Sequence, residues 1–275
     1  DYLFLNAVRT TDGHEMAKDE NGNPWRMFPY IPDTITLDKV DRVEQAFEAA
    51  RGFGELTQKL TNADVNQFKA TIPKFQDLNW RFEQLETALK NTTTERKVMA
   101  QQAINQALDL SYLVDDYKKF ISSGVLKPRV VHNDTKINNI LFNAKTEKAV
   151  CVIDLDTLMP GYFIYDLGDM VRTFVSPVSE EEKDISLIEF RKDFYDALLE
   201  GYLSEMKSCL SKEEETIISF SGLMMTYIMA IRFLADFLNG NIYYQIHYPE
   251  QNLVRATNQL TLTKKIAHAL NYPQH

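Results

Sequence analysis

The first 31 residues alternate short apolar runs with turn signals. "YLFLNAV" (2–8), "HEMAKD" (14–19) and "WRMFPYI" (25–31) read as strands, and "TTDG" and "ENGNP" between them read as hairpin turns. Pro29 and Pro32 end that pattern. A long helix is then predicted over 38–60, "DKVDRVEQAFEAARGFGELTQKL", with Thr36 or Asp38 as its cap. Apolar spacing of three and four predicts helices over 78–90 and 95–121. Three short strands follow, at 129–134, 139–143 and 149–156, and helical periodicity resumes near Asp166 and over 185–206, 213–238 and 253–271. The pattern gives an α+β chain with a small β lobe (1–36), a linker near 29–37, and a large helical lobe (37–275) carrying a β-ribbon insert.

The longest apolar run, 217–231, is 15 residues long, contains Ser, Gly and Thr, and stops at Arg232. A membrane span takes about 18 or more apolar residues, so a buried core helix is expected and no membrane association. Of the 275 residues 44% are hydrophobic and 25% charged, ordinary for a soluble enzyme. A net charge of −9 argues against nucleic acid as a partner, because such binding rests on neutralising phosphates with Lys and Arg. A small phosphorylated ligand asks only for local positive charge and a metal. Cys151 and Cys209 form no CxxC pair, which fits a reduced, cytoplasmic setting, and no basic-then-apolar leader opens the chain. Cys151, inside a strand, reads as core.

The chemistry concentrates in 130–161, "VVHNDTKINNILFNAKTEKAVCVIDLDTLMPG". Asp134 can orient an acceptor hydroxyl and take its proton as the bond to phosphorus forms. Asn139, five residues on, offers a neutral oxygen to a hard divalent cation, and Asp154, ending an apolar strand, offers an anionic one. Lys136 brings a mobile positive charge to phosphate oxygens. These are parts of a kinase catalytic loop and its metal aspartate. Turn chemistry is the competing reading for each Asp or Asn taken singly. His132 reads as structural, holding the loop backbone, and Asp166 and Asp169 as N-cap or helix-dipole residues. Arg232 must find partners if buried. Those partners are either a ligand's oxygens or Asp236, four residues on. Core packing is expected for one of Tyr243 and Tyr244.

The segments "VVHNDTKINNILF" and "VIDLDTLMPGYFIYDLGDMVR" resemble the catalytic loop and metal-binding segment of the aminoglycoside phosphotransferase and choline kinase superfamily, relatives of protein kinases. Together with "RFLADFLNGNIYYQIHYPEQNLVRATNQLTL", they are most similar to the N-acetylhexosamine 1-kinases within it. The resemblance implies a protein-kinase-like two-lobe fold, ATP as co-substrate and Mg²⁺. It implies Asp134 as base, Asn139 and Asp154 as Mg²⁺ ligands, and Thr157, Arg232 and Tyr243 with Asp134 around an amino sugar. It also implies a nucleotide hinge at Phe28, Pro29, Tyr30 and Ile31, with His132, Asp156 and Asp166 structural at the site. Choline, ethanolamine or an aminoglycoside as acceptor, and a non-catalytic binding protein on the same scaffold, remain open. The glycine-rich phosphate loop and V-A-x-K-like strand of the superfamily have no counterpart here, with only Gly13 and Gly22 before residue 50. The chain is therefore expected to be a fragment of a working kinase, with weak nucleotide binding and little activity by itself.

Overall fold

The computed structural model describes residues 2–273. Its amino-terminal part is less regular than the hydrophobic pattern predicts. The only ladder there joins β1 (Ala17–Lys18) to β2 (Pro24–Trp25), antiparallel. The Asp19 carboxylate organises the turn between them, taking the amides of Asn21 and Asn23 at 2.9 Å each and the Trp25 indole N–H at 3.1 Å. The Asn23 side-chain amide, 2.9 Å from Oδ2, does most to hold the Asp19 pKa down to about 2, followed by the Trp25 indole and the backbone amides. Residues 2–8 and 26–31 form no strand. Besides the β1–β2 ladder, what remains of the predicted three-strand sheet is one backbone bond from the first run to the third, Val8 N–H to Met27 carbonyl at 2.8 Å. Leu3, Phe4 and Val8 stay exposed, and a two-stranded ribbon without a covered apolar face is marginal.

β3 (Thr34–Ile35), from the predicted linker, pairs antiparallel with β5 (Ile140–Asn143), which pairs in turn with β6 (Ala149–Val152). Helix α1 (Val43–Lys59) starts later than expected. Neither Thr36 nor Asp38 caps it. Residues 36–41 are spent on the crossing from β3, and Gln45 Oε1 accepts the amides of Asp41 and Arg42 at 3.0 and 3.2 Å instead. Helix α2 (Leu78–Asn91) begins where predicted, with Asp77 accepting from the Trp80 amide at 3.2 Å. The single helix expected over 95–121 is three: α3 (Thr94–Met99), α4 (Gln101–Asp109) and α5 (Tyr112–Ser122). The joints fall at Ala100 and Leu110, where ψ rises to 4° and 3°. Neither residue is a helix breaker, so the periodicity runs through both.

β4 (Arg129–Val131) pairs antiparallel with β7 (Met159–Gly161), a strand the pattern did not reveal. Then come α6 (Phe163–Phe174), α7 (Lys192–Met206), α8 (Lys212–Glu215), α9 (Ile218–Leu238) and α10 (Gln251–Ala269). The helix predicted over 213–238 divides into α8 and α9, and α9 runs on past Arg232 to Leu238 as expected. By length and composition it could cross a membrane, yet 78% of its apolar window is buried in this fold, packed on α2, α6 and α10. The α6–α9 crossing is close because both helices have glycine at the contact: a Cβ on Gly168 would meet the Ser221 carbonyl, and one on Gly222 would lie 2.5 Å from Val171 Cγ1. This crossing seats α6 beneath the loop after β4. The same loop is anchored at its start by Arg129, whose guanidinium grips buried Glu214 at 2.9 and 3.1 Å.

Candidate active site

β4 ends at Val131 because the next amides leave the ladder for α6. The Asp166 carboxylate takes the His132 amide at 2.8 Å and the Asn133 amide at 2.7 Å, and Asp169 takes the Thr135 amide at 3.0 Å. The Thr135 hydroxyl closes the arrangement on the Asp166 carbonyl at 2.8 Å. Asn133 turns the chain with φ at 67°, a conformation Asn tolerates better than most residues. Asp166 is thus in the first turn of α6 but caps nothing; Tyr162 holds the N-cap position. The N-cap expectation fails because Asp166 reaches a loop distant in sequence, where local reasoning cannot look. Burial raises its pKa to about 6, against the lowering effects of His132 and the two amides.

His132 is fully buried, with its ring edge-on to Phe53. Its Nδ1 accepts the Asp134 amide at 3.3 Å, so Nε2 carries the proton and donates to the Ile153 carbonyl at 3.0 Å. One imidazole therefore links the Asp134 loop to the residue preceding Asp154.

Asp134 is partly open, its side chain 29% exposed, with Lys136 Nζ at 3.0 Å. Asn139 uses its amide N–H₂ on the Asp134 carbonyl and Oδ2, at 2.9 and 3.0 Å. That orientation leaves the Asn139 side-chain oxygen for another partner. The β5–β6 register pairs Ile140 with Val152, and the Ile153 amide donates to the Asn139 carbonyl at 2.9 Å. Asn139 and Asp154 are thereby brought to neighbouring strand ends. Asp154 has φ of 57° and forms no ion pair among the described residues. Those residues also contain no group of three or more His, Cys, Asp or Glu able to hold a metal by itself. One carboxylate with one amide oxygen, beside room for phosphates, nevertheless fits Mg²⁺, which keeps waters and shares its coordination with phosphate oxygens.

Asp154 lines a cleft of about 540 Å³ whose opposite wall is Phe28, Pro29, Tyr30 and Ile31. Within that segment the Ile31 carbonyl is taken by the Thr34 hydroxyl at 2.7 Å, and Pro29 has no N–H. The main-chain groups of Phe28 and Tyr30 form no hydrogen bond among the described residues, and the Tyr30 side chain is 84% exposed. Asp156 reaches across the cleft mouth to an ion pair with Arg26.

A second cavity, about 330 Å³, opens on Asp134 and Lys136 from the other side and is walled by Arg232 and Tyr244. Arg172 and Arg255 also line it, but both are paired, Arg172 with Asp169 and Glu180 and Arg255 with Glu181. Arg232 has no ion pair among the described residues. It lies 5.2 Å from the Phe75 ring centroid, 5.6 Å from that of Tyr244, and 3.5 Å from Met229 Sδ. Asp236 does not pair with it. That carboxylate is committed to the amides of Ile242, Tyr243 and Tyr244 and to Asn252. Tyr244 is half-buried against Phe233, the core member of the tyrosine pair, while Tyr243 is 67% exposed and faces an adjoining cavity. Thr157 lies outside both: its carbonyl takes Asn133 Nδ2 at 3.0 Å, and its buried hydroxyl has no partner among the described residues. Sequence reasoning weighed Asp236 only as a partner for Arg232 and missed its hold on the turn after α9. Its signal was an acid inside an apolar helix just before the "NGN" turn.

The phosphotransferase enzyme family matches residues 7–208, and the chain belongs to that family. It is an enzyme that transfers phosphate to a hydroxyl acceptor. Among solved structures, a microcompartment-associated aminopropanol kinase is 12% identical with a TM-score of 0.59, aligned over 100% of this chain and 79% of that one. A choline/ethanolamine kinase family protein from Mesorhizobium loti is 16% identical with a TM-score of 0.55, over 92% and 72%. AMP-bound spectinomycin phosphotransferase is 12% identical with a TM-score of 0.57, over 96% and 78%. At these identities the likeness is one of fold, and it bears out the two-lobed α+β, kinase-like expectation. The family match ends before Arg232, so the part of the wall made by Arg232, Tyr244 and Arg255 lies outside it.

Proposed function

We propose that this phosphotransferase is a sugar kinase, moving the γ-phosphate of ATP to the anomeric hydroxyl of an N-acetylhexosamine, N-acetylglucosamine or N-acetylgalactosamine. The carrying observation is the unpaired guanidinium of Arg232 facing Asp134. The charged groups lining that cavity are Asp134, Asp169 and Glu180 against Lys136, Arg172, Arg232 and Arg255, three negative and four positive. Choline, ethanolamine or an aminoglycoside would bring further positive charge beside Arg232, the lining cation that no carboxylate among the described residues neutralises, Arg255 being offset by Glu181. A neutral sugar offers hydroxyl and N-acetyl oxygens, which accept from guanidinium N–H groups at no such cost.

In this reading the cleft between 28–31 and Asp154 takes the nucleotide, with the free main-chain groups of Phe28 and Tyr30 bonding the adenine edge. Asn139 and Asp154 would hold Mg²⁺, which when bound neutralises phosphate charge. Asp134 accepts the proton of the acceptor hydroxyl as the new O–P bond forms and the bond from γ-phosphorus to the bridging oxygen breaks, leaving ADP. Lys136, beside Asp134, meets the phosphoryl oxygens as their charge redistributes. Both cysteines are free thiols, in keeping with a cytoplasmic enzyme.

The test is ³¹P NMR of the longest available gene product with Mg·ATP and each candidate acceptor. An anomeric phosphate signal is expected with an N-acetylhexosamine. Asp134→Asn should abolish it while leaving sugar binding intact. Signal with choline or an aminoglycoside alone would retire the sugar reading, and full turnover in Asp134→Asn would remove Asp134 as base.

A further inference from the structure

Beside the Asp134 cavity lies another, of about 480 Å³, between α2 and the turn after α9. Arg232 and Tyr244 line both, and Arg81, Trp80 and Tyr243 line only the second. Its two arginines are anomalous for this chain. Arg26, Arg42, Arg51, Arg129, Arg172 and Arg255 each grip a carboxylate. Arg191 is bound to the Phe174 and Ser176 carbonyls at the end of α6, and Arg96 lies on the Phe237 carbonyl at the end of α9. Arg81 and Arg232 have no carboxylate partner among the described residues, and they share a cavity. Arg81 donates to the Phe75 carbonyl at 2.8 and 3.1 Å and to Gln84 at 2.9 Å, leaving two of its five N–H groups unspent.

Burial first, and then the neighbouring Arg232 charge, lower the Arg81 pKa to about 10, against the smaller opposing effects of Tyr244, Tyr243 and Asp77. Two acids touch the cavity. Asp236 is committed to four N–H donors, and Glu83 is exposed and forms no ion pair among the described residues. Neither neutralises the arginines. A guanidinium pair edged by Trp80 and Tyr243 matches a planar or tetrahedral oxyanion next to a sugar ring, since guanidinium forks bind such groups bidentately and aromatic rings cover the ring face.

We propose that this cavity is an anion subsite adjoining the acceptor pocket, filled by a sulfate, phosphate or carboxylate group borne by the acceptor, with Arg81 as its specificity-determining residue. The proposal rests on reading the Asp134–Arg232 cavity as the acceptor site.

Calorimetry and the Trp80 indole NMR signal would follow titration with inorganic sulfate, N-acetylglucosamine and N-acetylglucosamine 6-sulfate. Wild type, Arg81→Gln and Arg81→Lys would be compared at constant ionic strength, with thermal melts to verify folding. Sulfate should bind wild type, and the sulfate ester should bind about tenfold more tightly than the parent sugar. Both preferences should vanish in Arg81→Gln and partly return in Arg81→Lys, which keeps the charge but not the fork. Equal affinity for ester and parent in wild type, or a preference that survives Arg81→Gln, overturns the acceptor-borne anion. Should Arg81→Gln fail to fold, the ester-to-parent ratio in wild type and Arg81→Lys decides alone. Arg81-dependent sulfate binding without phosphate transfer to any acceptor overturns the sugar kinase reading only. Transfer to the parent sugar with no effect of the anion overturns the subsite only.

Discussion

Replacing Asp236 by Asn removes one oxygen from a carboxylate that four donors share. Oδ1 accepts the amides of Ile242 at 3.0 Å and Tyr243 at 2.9 Å; Oδ2 accepts the Tyr244 amide at 3.0 Å and Asn252 Nδ2 at 2.9 Å. Asparagine has the same shape but presents one oxygen and one N–H₂. Whichever way its amide is turned, two of the four N–H donors face another donor. A buried hydrogen bond to a charged acceptor contributes about 1.5–3 kcal/mol, so the two lost bonds cost the turn after α9 about 3–6 kcal/mol. At about 1.4 kcal/mol per tenfold, the opening equilibrium of that turn rises about a hundredfold or more, up to the limit set by its own local stability. Hydrogen exchange read by mass spectrometry on a peptide covering 239–250 measures this directly. The amides of Ile242, Tyr243 and Tyr244 should lose protection while those in the middle of α9 keep theirs. Because this turn supplies Tyr244 to the Asp134 cavity, acceptor affinity should fall while nucleotide affinity does not. Unchanged protection at 242–244 would refute the account of Asp236 as the organiser of this wall.

Glu214→Gln leaves Arg129 charged and buried against a neutral amide. Breaking a buried ion pair by removing one partner costs about 3–5 kcal/mol, so the urea midpoint should drop clearly; a shift near zero would mean that Arg129 finds other compensation. Asp166 bears on pH. Its pKa rises from 3.8 to about 6 on folding, chiefly by burial, so between those values the native state binds the proton that the unfolded chain has released. Its contribution to stability is therefore greatest below about pH 4 and is lost as pH rises through about 6. Carboxyl ¹³C NMR should show one aspartate titrating near pH 6, absent in Asp166→Asn, and an Asp166 that titrates in the ordinary range would contradict the burial argument.

Elements were legible in the sequence where the apolar period was clear. α2 is the clearest, read from its three-and-four spacing alone, and the structure adds Asp77 as its cap. Legibility failed where tertiary contacts overrule local pattern. The amino-terminal strands had the right alternation and turns, but Leu3, Phe4 and Val8 stay exposed, and no continuous apolar face forms there among the described residues. The joints at Ala100 and Leu110 sit in helix-forming residues and leave no mark on the apolar period. β7 was hidden by Pro160 and Gly161, residues that weigh against a strand.

The two halves of the candidate site differ for a physical reason. Asp134, Lys136, Asn139 and Asp154 lie within 21 residues on one strand-and-loop unit, which in the proposed reading holds the base and the metal oxygens that phosphate transfer needs. Local pattern did not show how Asp166 and Asp169 support them, acting from α6 on the loop amides; only the resemblance marked Asp166 as structural at the site. The opposite wall is assembled from α2, α9 and α10 and the segment before α2, with Arg81 and Arg255 separated by most of the chain. No spacing rule joins such positions. Arg232 could be singled out because a charge in an apolar helix is conspicuous wherever it points. Whether its partner was Asp236 or a ligand depended on the turn at 239–241, which folds three amides onto Asp236 and leaves the guanidinium unpaired. Acceptor chemistry in this fold is thus set by which charges the helical wall neutralises internally and which it leaves exposed to the cavity. That is a property of side-chain pairing, and the catalytic motif carries no record of it.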